Sequence, residues 1–148
     1  MPAPSTDPLD RLADLVGAGA DRLRIPADAH LLLAVSGGPD SIAMLHGAAR
    51  LVAAGKRAWR LTVAHVDHGL RPDSADDAVF VAGTATALGL PAEVRRIDVA
   101  ALARATGASI EEAGRDARYE VLEEVAPDGT MIATAHTLDD LAETVIIN

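Results

Sequence analysis

The sequence predicts an α/β fold in which helices cover a parallel sheet. Short apolar runs alternate with segments of helical periodicity along the chain, and strands that alternate with helices form a parallel sheet through right-handed crossovers. The length of 148 residues suits one domain. Because the chain has one Phe, one Tyr and one Trp, its core must consist mainly of aliphatic side chains, as in a buried parallel sheet.

In the first half of the chain, helical periodicity and continuous apolar runs alternate twice. Pro26 breaks the chain after the first helix, and Gly55 ends the second. The predicted elements are a helix at Asp7–Leu23, a strand at Leu31–Val35, a helix at Ser41–Ala54 and a strand at Leu61–Val66.

The second half repeats the alternation. Ser109 and Glu112 form a capping box for one helix, and the third strand is more polar, which places it near a sheet edge. The predicted elements are a helix at Asp73–Leu88, a strand at Ala92–Val99, a short helical piece before Gly107, a helix after Ser109, a strand at Met131–Ala135 and a helix at Leu138–Asn148.

Composition and charge limit the classes of function. A net charge of −9 opposes nucleic-acid binding by the chain as a whole, although a local basic cluster is still compatible with it. The absence of cysteine excludes disulfides, thiolate metal sites and sulfur-relay chemistry within the chain. No apolar run reaches about 18 residues, so we expect no membrane segment, and a cytoplasmic location agrees with these features.

The segment after the first strand indicates a phosphate-binding loop. A strand, a glycine turn and a helix in this order offer backbone N–H groups to an anion. The two serines supply hydroxyls, and Asp40, in the first helical turn, could hold Mg²⁺ against the phosphates. The segment is neither a Walker A loop nor a Gly-x-Gly-x-x-Gly turn. The alternative is an ordinary turn in which Asp40 complements the helix N-terminus. The loop comprises Ser36, Gly37, Gly38, Pro39, Asp40 and Ser41.

A second polar motif follows the second strand, from His65 to Arg71, with Asp67 and His68 inside it and Ser74 shortly after. A zinc site is one interpretation, but the spacing is not that of a zinc cluster and cysteine is absent. The other interpretation is that His65 and Asp67 hydrogen-bond the loop around them.

A third motif follows the fourth strand. In a helix that begins near Leu138, Asp139, Asp140 and Glu143 lie within one turn of each other, just after His136. They would form a compact anionic cluster, although acidic residues also complement a helix N-terminus for purely electrostatic reasons.

Two arginines on the helix after Ser109 are further candidates. Arg115 and Arg118 lie about one turn apart and could contact phosphate or a nucleotide. Alternatively, they form salt bridges with the acidic residues Glu111, Glu112 and Asp116 on the same helix.

Together these motifs resemble those of the tRNA(Ile)-lysidine synthetases, which are ATP-pyrophosphatases of the PP-loop type. The first loop is similar to the family's SGGxDS signature, the second motif to its HxDHGLR segment and the third to its HxxDDxxET motif. The arginine helix resembles the family's E-x-x-AR-x-x-RY helix. Leu141 replaces the family's usual Gln and Gly114 its usual Ala. The resemblance runs from about Leu31 to Ile147.

This resemblance implies a three-layer, Rossmann-like parallel sheet of the adenine-nucleotide alpha-hydrolase type over residues 1–148, with a helix in residues 1–25 packed on it. It also implies a two-step ligase reaction. ATP adenylates the C2 carbonyl oxygen of the wobble cytidine in an isoleucine tRNA and pyrophosphate leaves. The amine of free L-lysine then displaces AMP and gives lysidine.

The implied site residues follow from the same motifs. The loop Ser36–Ser41, with His65 and Asp67, would bind ATP, and Asp40 would hold Mg²⁺. Asp140 and Glu143 would bind lysine, and one of them would take its proton. The resemblance also assigns catalytic roles near the adenylate and the cytidine to His136 and Arg115.

The resemblance extends to partners and completeness. Family members carry further chain that contacts tRNA, so we expect tRNA binding mainly through a missing C-terminal region. The last helix reaches Asn148 without a cap, so we expect a domain truncated at this end and inactive on tRNA alone. Its open sheet edge could form a homodimer.

Two other functions compete with this interpretation. A universal-stress-type nucleotide-binding module without chemistry would carry a glycine-rich loop after the fourth strand, where this chain has His136 and acidic residues. Other PP-loop ligases, such as the NAD, GMP and argininosuccinate synthetases, share the first loop but not the second and third motifs.

Overall fold

The computed structural model describes residue 3 and residues 5–135 of the chain. Within these residues, strands alternate with helices after an N-terminal helix, and two helices connect the last two strands. The elements are α1 (Pro8–Arg22), β1 (His30–Ala34), α2 (Pro39–Ala53), β2 (Arg60–Asp67), α3 (Ser74–Ala87), β3 (Ala92–Arg96), α4 (Val99–Thr106), α5 (Ile110–Val125) and β4 (Met131–Thr134).

The described strands form one parallel sheet in the order β3-β2-β1-β4. β1 lies inside the sheet and pairs with β2 and β4, so that Leu32 lies beside Thr62 on one side and Ile132 on the other. β3 is an edge strand and its residues are largely exposed. The sheet confirms the predicted α/β class and the predicted edge position of the third strand.

Alternate residues of β1 point to opposite faces of the sheet, and each face has its own core. Leu31 and Leu33 pack with residues of α1, α2 and α3. Leu32 and Ala34 pack on the other face with Leu122 of α5. A third apolar cluster joins α4 to α5. Helices therefore cover both faces of the sheet, which gives the three-layer arrangement expected for parallel strands buried on both sides.

Close contact with α2 holds the N-terminal helix. Gly47 of α2 faces Val16 and the backbone of Leu12, and a Cβ on Gly47 would lie 2.6 Å from Val16 Cγ2 and 2.8 Å from the Leu12 carbonyl oxygen. Arg50 of α2 also bonds Asp10 of α1, with 2.7 Å between Nε and Oδ1. The absence of a side chain at Gly47 thus allows the backbones of α1 and α2 to approach closely.

The third strand is shorter than predicted. The sequence predicted Ala92–Val99, but β3 ends at Arg96 and Val99 is the first residue of α4. The side chain of Asp98 accepts a hydrogen bond from the N–H of Ala101 at 2.9 Å and so begins a helix. Val99 is fully buried between α4 and α5, which explains why it looked like part of an apolar strand.

The glycines of α2 and α3 should respond oppositely to the same substitution. Gly83→Ala in α3 should raise the free energy of unfolding by about 0.5–1 kcal/mol, because alanine favours the helix and its Cβ would meet nothing within 4 Å. Gly47→Ala should lower the free energy of unfolding by about 1–3 kcal/mol through overpacking. Urea denaturation would measure both. Stabilisation by both substitutions would show that the α1–α2 contact tolerates a wider spacing.

Candidate functional site

The carboxyl ends of β1 and β2 are joined directly. The N–H of Val35, just after β1, donates to the Ala64 carbonyl at 2.8 Å, and His65 Nδ1 donates to the Val35 carbonyl at 2.7 Å. The loops that follow the two strands therefore face each other. Between them lies a cleft of about 380 Å³, lined by residues 34–36, 64–71, 74, 77, 118 and 122.

The loop from Ser36 to Ser41 is held by its own hydroxyl groups. Ser41 is buried, and its Oγ accepts from the Ser36 N–H at 3.1 Å and donates to the Gly38 carbonyl at 3.0 Å. Ser36 Oγ lies 3.1 Å from Ser41 Oγ and accepts from the Gly38 N–H at 3.3 Å. Ser41 thus shapes the loop from inside, whereas Ser36 is exposed and lies at the cleft.

Gly37 gives the loop its turn. Its φ of +93° is a conformation that residues with a side chain rarely adopt. α2 starts immediately afterwards with Pro39 at its first position, so the first-turn amides of the helix point towards the loop without intrahelical partners. This geometry suits an anion, because both the free amides and the helix dipole favour negative charge.

Asp40 lies in the first turn of α2, as the sequence predicted. Its side chain is half-buried, and among the described residues it forms no ion pair. Those residues also contain no group of three or more His, Cys, Asp or Glu side chains that could hold a metal ion. A single carboxylate fits Mg²⁺, which is commonly held by one or two carboxylates together with the phosphates of a substrate.

One ring nitrogen of His65 is hydrogen-bonded, and the other has no hydrogen-bond partner among the described residues. The side chain is buried, and Nδ1 must carry the proton because a backbone carbonyl only accepts hydrogen bonds. In the neutral ring Nε2 is then an acceptor, and it has no hydrogen-bond partner within the described part of the chain. Buried polar atoms are nearly always paired, so Nε2 is suited to accept from a group that enters the cleft.

Asp67 holds the second loop. Its Oδ1 accepts from the Gly69 N–H at 2.9 Å, and Arg96 approaches its Oδ2 to 3.8 Å. Burial by itself would raise the pKa of Asp67. The hydrogen bonds from Gly69 and Ser74, with the charge of Arg96, outweigh it and hold the pKa below the usual 3.8. Asp67 therefore stays ionised near neutral pH and fixes the loop.

A carboxylate that the sequence did not single out lies against the phosphate loop. Asp77, in the first turn of α3, has its Cβ 3.5 Å and its Oδ1 3.7 Å from the position that a Cβ on Gly37 would occupy. Its Oδ2 accepts from Arg71 Nη2 at 2.5 Å. Its place in the first turn of α3 predicts that Asp77 lies at the same end of the sheet as the loop after β1, but not that it approaches Gly37.

His68 and Arg118 form the opposite side of the cleft. His68 Nδ1 lies 3.5 Å from where a Cβ on Gly114 of α5 would stand, and Arg118 lines the cleft one turn further along α5. Burial and the nearby charge of Arg118 lower the pKa of His68 below 6.5. The ring is therefore mainly neutral at neutral pH.

The remaining candidates are placed differently. Arg115 is exposed and does not line the cleft, whereas Arg118 does. Neither arginine forms an ion pair within residues 5–135. His136, Asp139, Asp140, Leu141 and Glu143 lie outside the described residues. In the described part of the chain, no helix has both the length and the apolar character needed to cross a membrane.

Known proteins resemble this chain in sequence along most of its length. The sequence pattern of the PP-loop domain matches residues 12–148. The tRNA(Ile)-lysidine synthase of Thermus thermophilus is 46% identical over 127 residues, which cover 84% of this chain and 24% of that protein. The enzyme of the same name from Chlorobaculum tepidum is 46% identical over 121 residues, covering 80% of this chain and 36% of its own length. The chain thus spans about a quarter to a third of these relatives.

One solved structure shares the fold at low sequence identity. The NAD⁺ synthetase of Burkholderia pseudomallei superposes with a TM-score of 0.52 at 18% identity, over 88% of this chain and 63% of that protein. At this identity the likeness concerns the fold alone.

The lowered pKa of His68 should make stability depend on pH. As pH falls through 6.5, the unfolded chain takes up a proton that the folded protein resists, so the free energy of unfolding falls. His68→Gln removes this contribution. Between pH 7.5 and 5.5 the free energy of unfolding should therefore fall more for the unaltered protein than for the variant. Urea denaturation at several pH values would measure the change. NMR titration should also show Arg118→Gln raising the pKa of His68, and a His68 midpoint above 6.5 would contradict the argument.

Proposed function

The chain belongs to the PP-loop domain family, and on that premise we propose that it is the ATP-binding part of a tRNA(Ile)-lysidine synthetase. The observation that carries the proposal is the loop Ser36–Ser41, which turns at Gly37 with a positive φ and borders, through Ser36, a cleft at the carboxyl ends of β1 and β2. Membership of the family implies ATP binding. The names of the relatives point to isoleucine tRNA as the substrate to be modified.

In the first step, the loop binds the phosphates of ATP. The C2 carbonyl oxygen of the wobble cytidine attacks the α-phosphorus, and pyrophosphate leaves. Pyrophosphate departs readily only where its charge is neutralised and its position fixed. The amide of Gly37 and the hydroxyl of Ser36 supply donors, and the Gly38 N–H would exchange its long bond to Ser36 Oγ for the phosphate. The buried Ser41 keeps the loop in shape. Asp40 would hold Mg²⁺, and that ion would supply positive charge against the phosphates.

His65 and Asp67 support nucleotide binding in different ways. We assign His65 Nε2 as an acceptor for an N–H or O–H group of the nucleoside, because it is buried beside the cleft without a partner in the described residues. Asp67 has one oxygen engaged by Gly69 of its own loop and the other near Arg96 at the end of β3, so its contribution is to position that loop. Arg115 and Arg118 are both candidates for contacting the cytidine, and Arg118 lines the cleft.

In the second step, the amine of lysine attacks C2 of the adenylated cytidine and AMP leaves. The amine must first lose a proton, and an acidic pocket would both hold the lysine cation and accept that proton. We assign this pocket to Asp140 and Glu143 on the basis of the sequence motif, with His136 beside the adenylate. A net charge of −9 suits a lysine pocket. The affinity for tRNA would come from a basic region outside this chain.

The proposal is tested by incubating the gene product that contains this chain with ATP, labelled lysine and an isoleucine tRNA transcript. Lysine incorporation that requires ATP and releases AMP and pyrophosphate is the expected result. ATP binding without turnover would favour the nucleotide-binding module. Turnover with ammonia and a nicotinate substrate would favour another PP-loop ligase. We expect the 148-residue chain alone to bind ATP but to leave tRNA unmodified.

Asp40→Asn should reduce adenylation at least ~10²-fold, because it removes the carboxylate proposed to hold Mg²⁺. Pyrophosphate release is the measurement, with thermal unfolding to show that the fold is intact. Asp28→Asn is the control, since Asp28 is exposed and precedes the amino end of β1, at the end of the strands opposite the cleft. Near-normal pyrophosphate release by Asp40→Asn would show that Asp40 only complements the N-terminus of α2 and does not hold the metal.

Glu143→Gln should raise the KM for lysine by about 10-fold and leave ATP affinity unchanged, because one charge-assisted contact to the substrate ammonium is lost. Lysine incorporation at varied lysine concentration measures the first quantity, and equilibrium ATP binding the second. Glu124→Gln on the exposed side of α5 is the control. A fall in ATP affinity would instead assign Glu143 to the metal or the nucleotide.

A further inference from the structure

The phosphate loop has an electrostatic problem that the proposed function does not address. Asp77 Oδ1 lies 3.7 Å from the Cβ position of Gly37, so its carboxylate borders the backbone that would receive a phosphate. Two negative groups this close repel each other, and the repulsion is strong where little water separates them. A carboxylate at this place is compatible with phosphate binding only if a positive group neutralises it.

Arg71 is that group in the present structure. Its Nη2 lies 2.5 Å from Asp77 Oδ2, and its Nε lies 3.9 Å from Asp73 Oδ1. The guanidinium side chain is 64% exposed and Asp77 is 39% exposed. An ion pair this exposed contributes little to folding stability. A contribution to stability therefore does not explain why an arginine is placed beside the phosphate loop.

We propose that Arg71, oriented by Asp77, contacts the phosphates that bind at Gly37 and Gly38. A guanidinium carries five N–H donors on a planar fork, and the bond to Asp77 uses one edge of it. Both residues line the cleft, and the arginine side chain is 64% exposed, so N–H groups that Asp77 does not use are open to a ligand there. Arg71 therefore keeps Asp77 neutralised and donates to phosphate at the same time, which lysine in its place would do less well.

The proposal identifies which part of the ligand Arg71 senses. Gly37 belongs to the loop assigned above to the departing pyrophosphate, so the contact concerns the β and γ phosphates and not the nucleoside. The inference rests on the proposed function because it takes this loop as the phosphate site. Comparing ligands with and without a pyrophosphate group distinguishes failure of the Arg71 contact from failure of the proposed function. Asp77 is a positioning residue in this scheme, because it acts through Arg71.

The experiment measures the binding of inorganic pyrophosphate, ATP and AMP to the 148-residue chain by calorimetry. Arg71→Gln should weaken pyrophosphate and ATP at least ~10-fold, since a charge-assisted contact is lost, and change AMP less than about 2-fold. Arg71→Lys should recover only part of the loss, because it lacks the fork. Adding Asp77→Asn to Arg71→Gln should restore binding at least ~3-fold, because the unneutralised carboxylate is removed.

Arg104→Gln is the control, since Arg104 is exposed on α4, away from the cleft, and carries the same charge. It should leave all three affinities unchanged, and thermal unfolding should be similar for every variant. Unchanged pyrophosphate and ATP affinity in Arg71→Gln would overturn the proposal, as would an equal loss for AMP. If the unaltered chain bound neither ATP nor pyrophosphate, the proposed function would fail with it.

Discussion

The site depends on the hydrogen bond from His65 Nδ1 to the carbonyl of Val35. Val35 is the last residue before the phosphate loop, and His65 lies two residues before the end of β2, so the bond fixes the distance between the two loops that form the cleft. The same bond sets the tautomer of His65 and leaves Nε2 as an acceptor. Because the bond is buried, loss of either partner would leave a polar group unpaired and destabilise both loops.

Charge is distributed so that an acidic chain can receive a polyanion. The net charge of −9 disfavours phosphates at a distance, but Arg71 and Arg118 both lie along the cleft, and the N-terminus of α2 adds a partial positive charge. Two positive side chains and a helix N-terminus therefore offset the cleft carboxylates Asp67 and Asp77, so the cleft is less acidic than the molecule as a whole. The acidic residues 139, 140 and 143 add negative charge in the segment assigned to a cationic substrate.

The sequence allowed the architecture to be predicted because its signals are local. Apolar runs gave the strands, the Ser109–Glu112 capping box marked the start of α5, and the glycine turn marked the phosphate loop. Contacts between distant segments could not be predicted in the same way. Ser41 was predicted as part of the nucleotide-binding loop, and its bond to the Gly38 carbonyl inside that loop was not foreseen. Asp77 was overlooked because its proximity to Gly37 depends on how α3 packs across the sheet.

The order of strands also has a consequence for how the chain folds. β1 pairs with β2, about 30 residues away, and with β4, about 100 residues away. Closing the longer loop costs about 1 kcal/mol more in chain entropy than closing the shorter one, and contacts between such distant segments form slowly. During synthesis β1 and β2 leave the ribosome well before β4. We therefore expect the two loops that border the cleft to come together first, while one side of β1 waits, unpaired and exposed to neighbouring nascent chains, until β4 arrives.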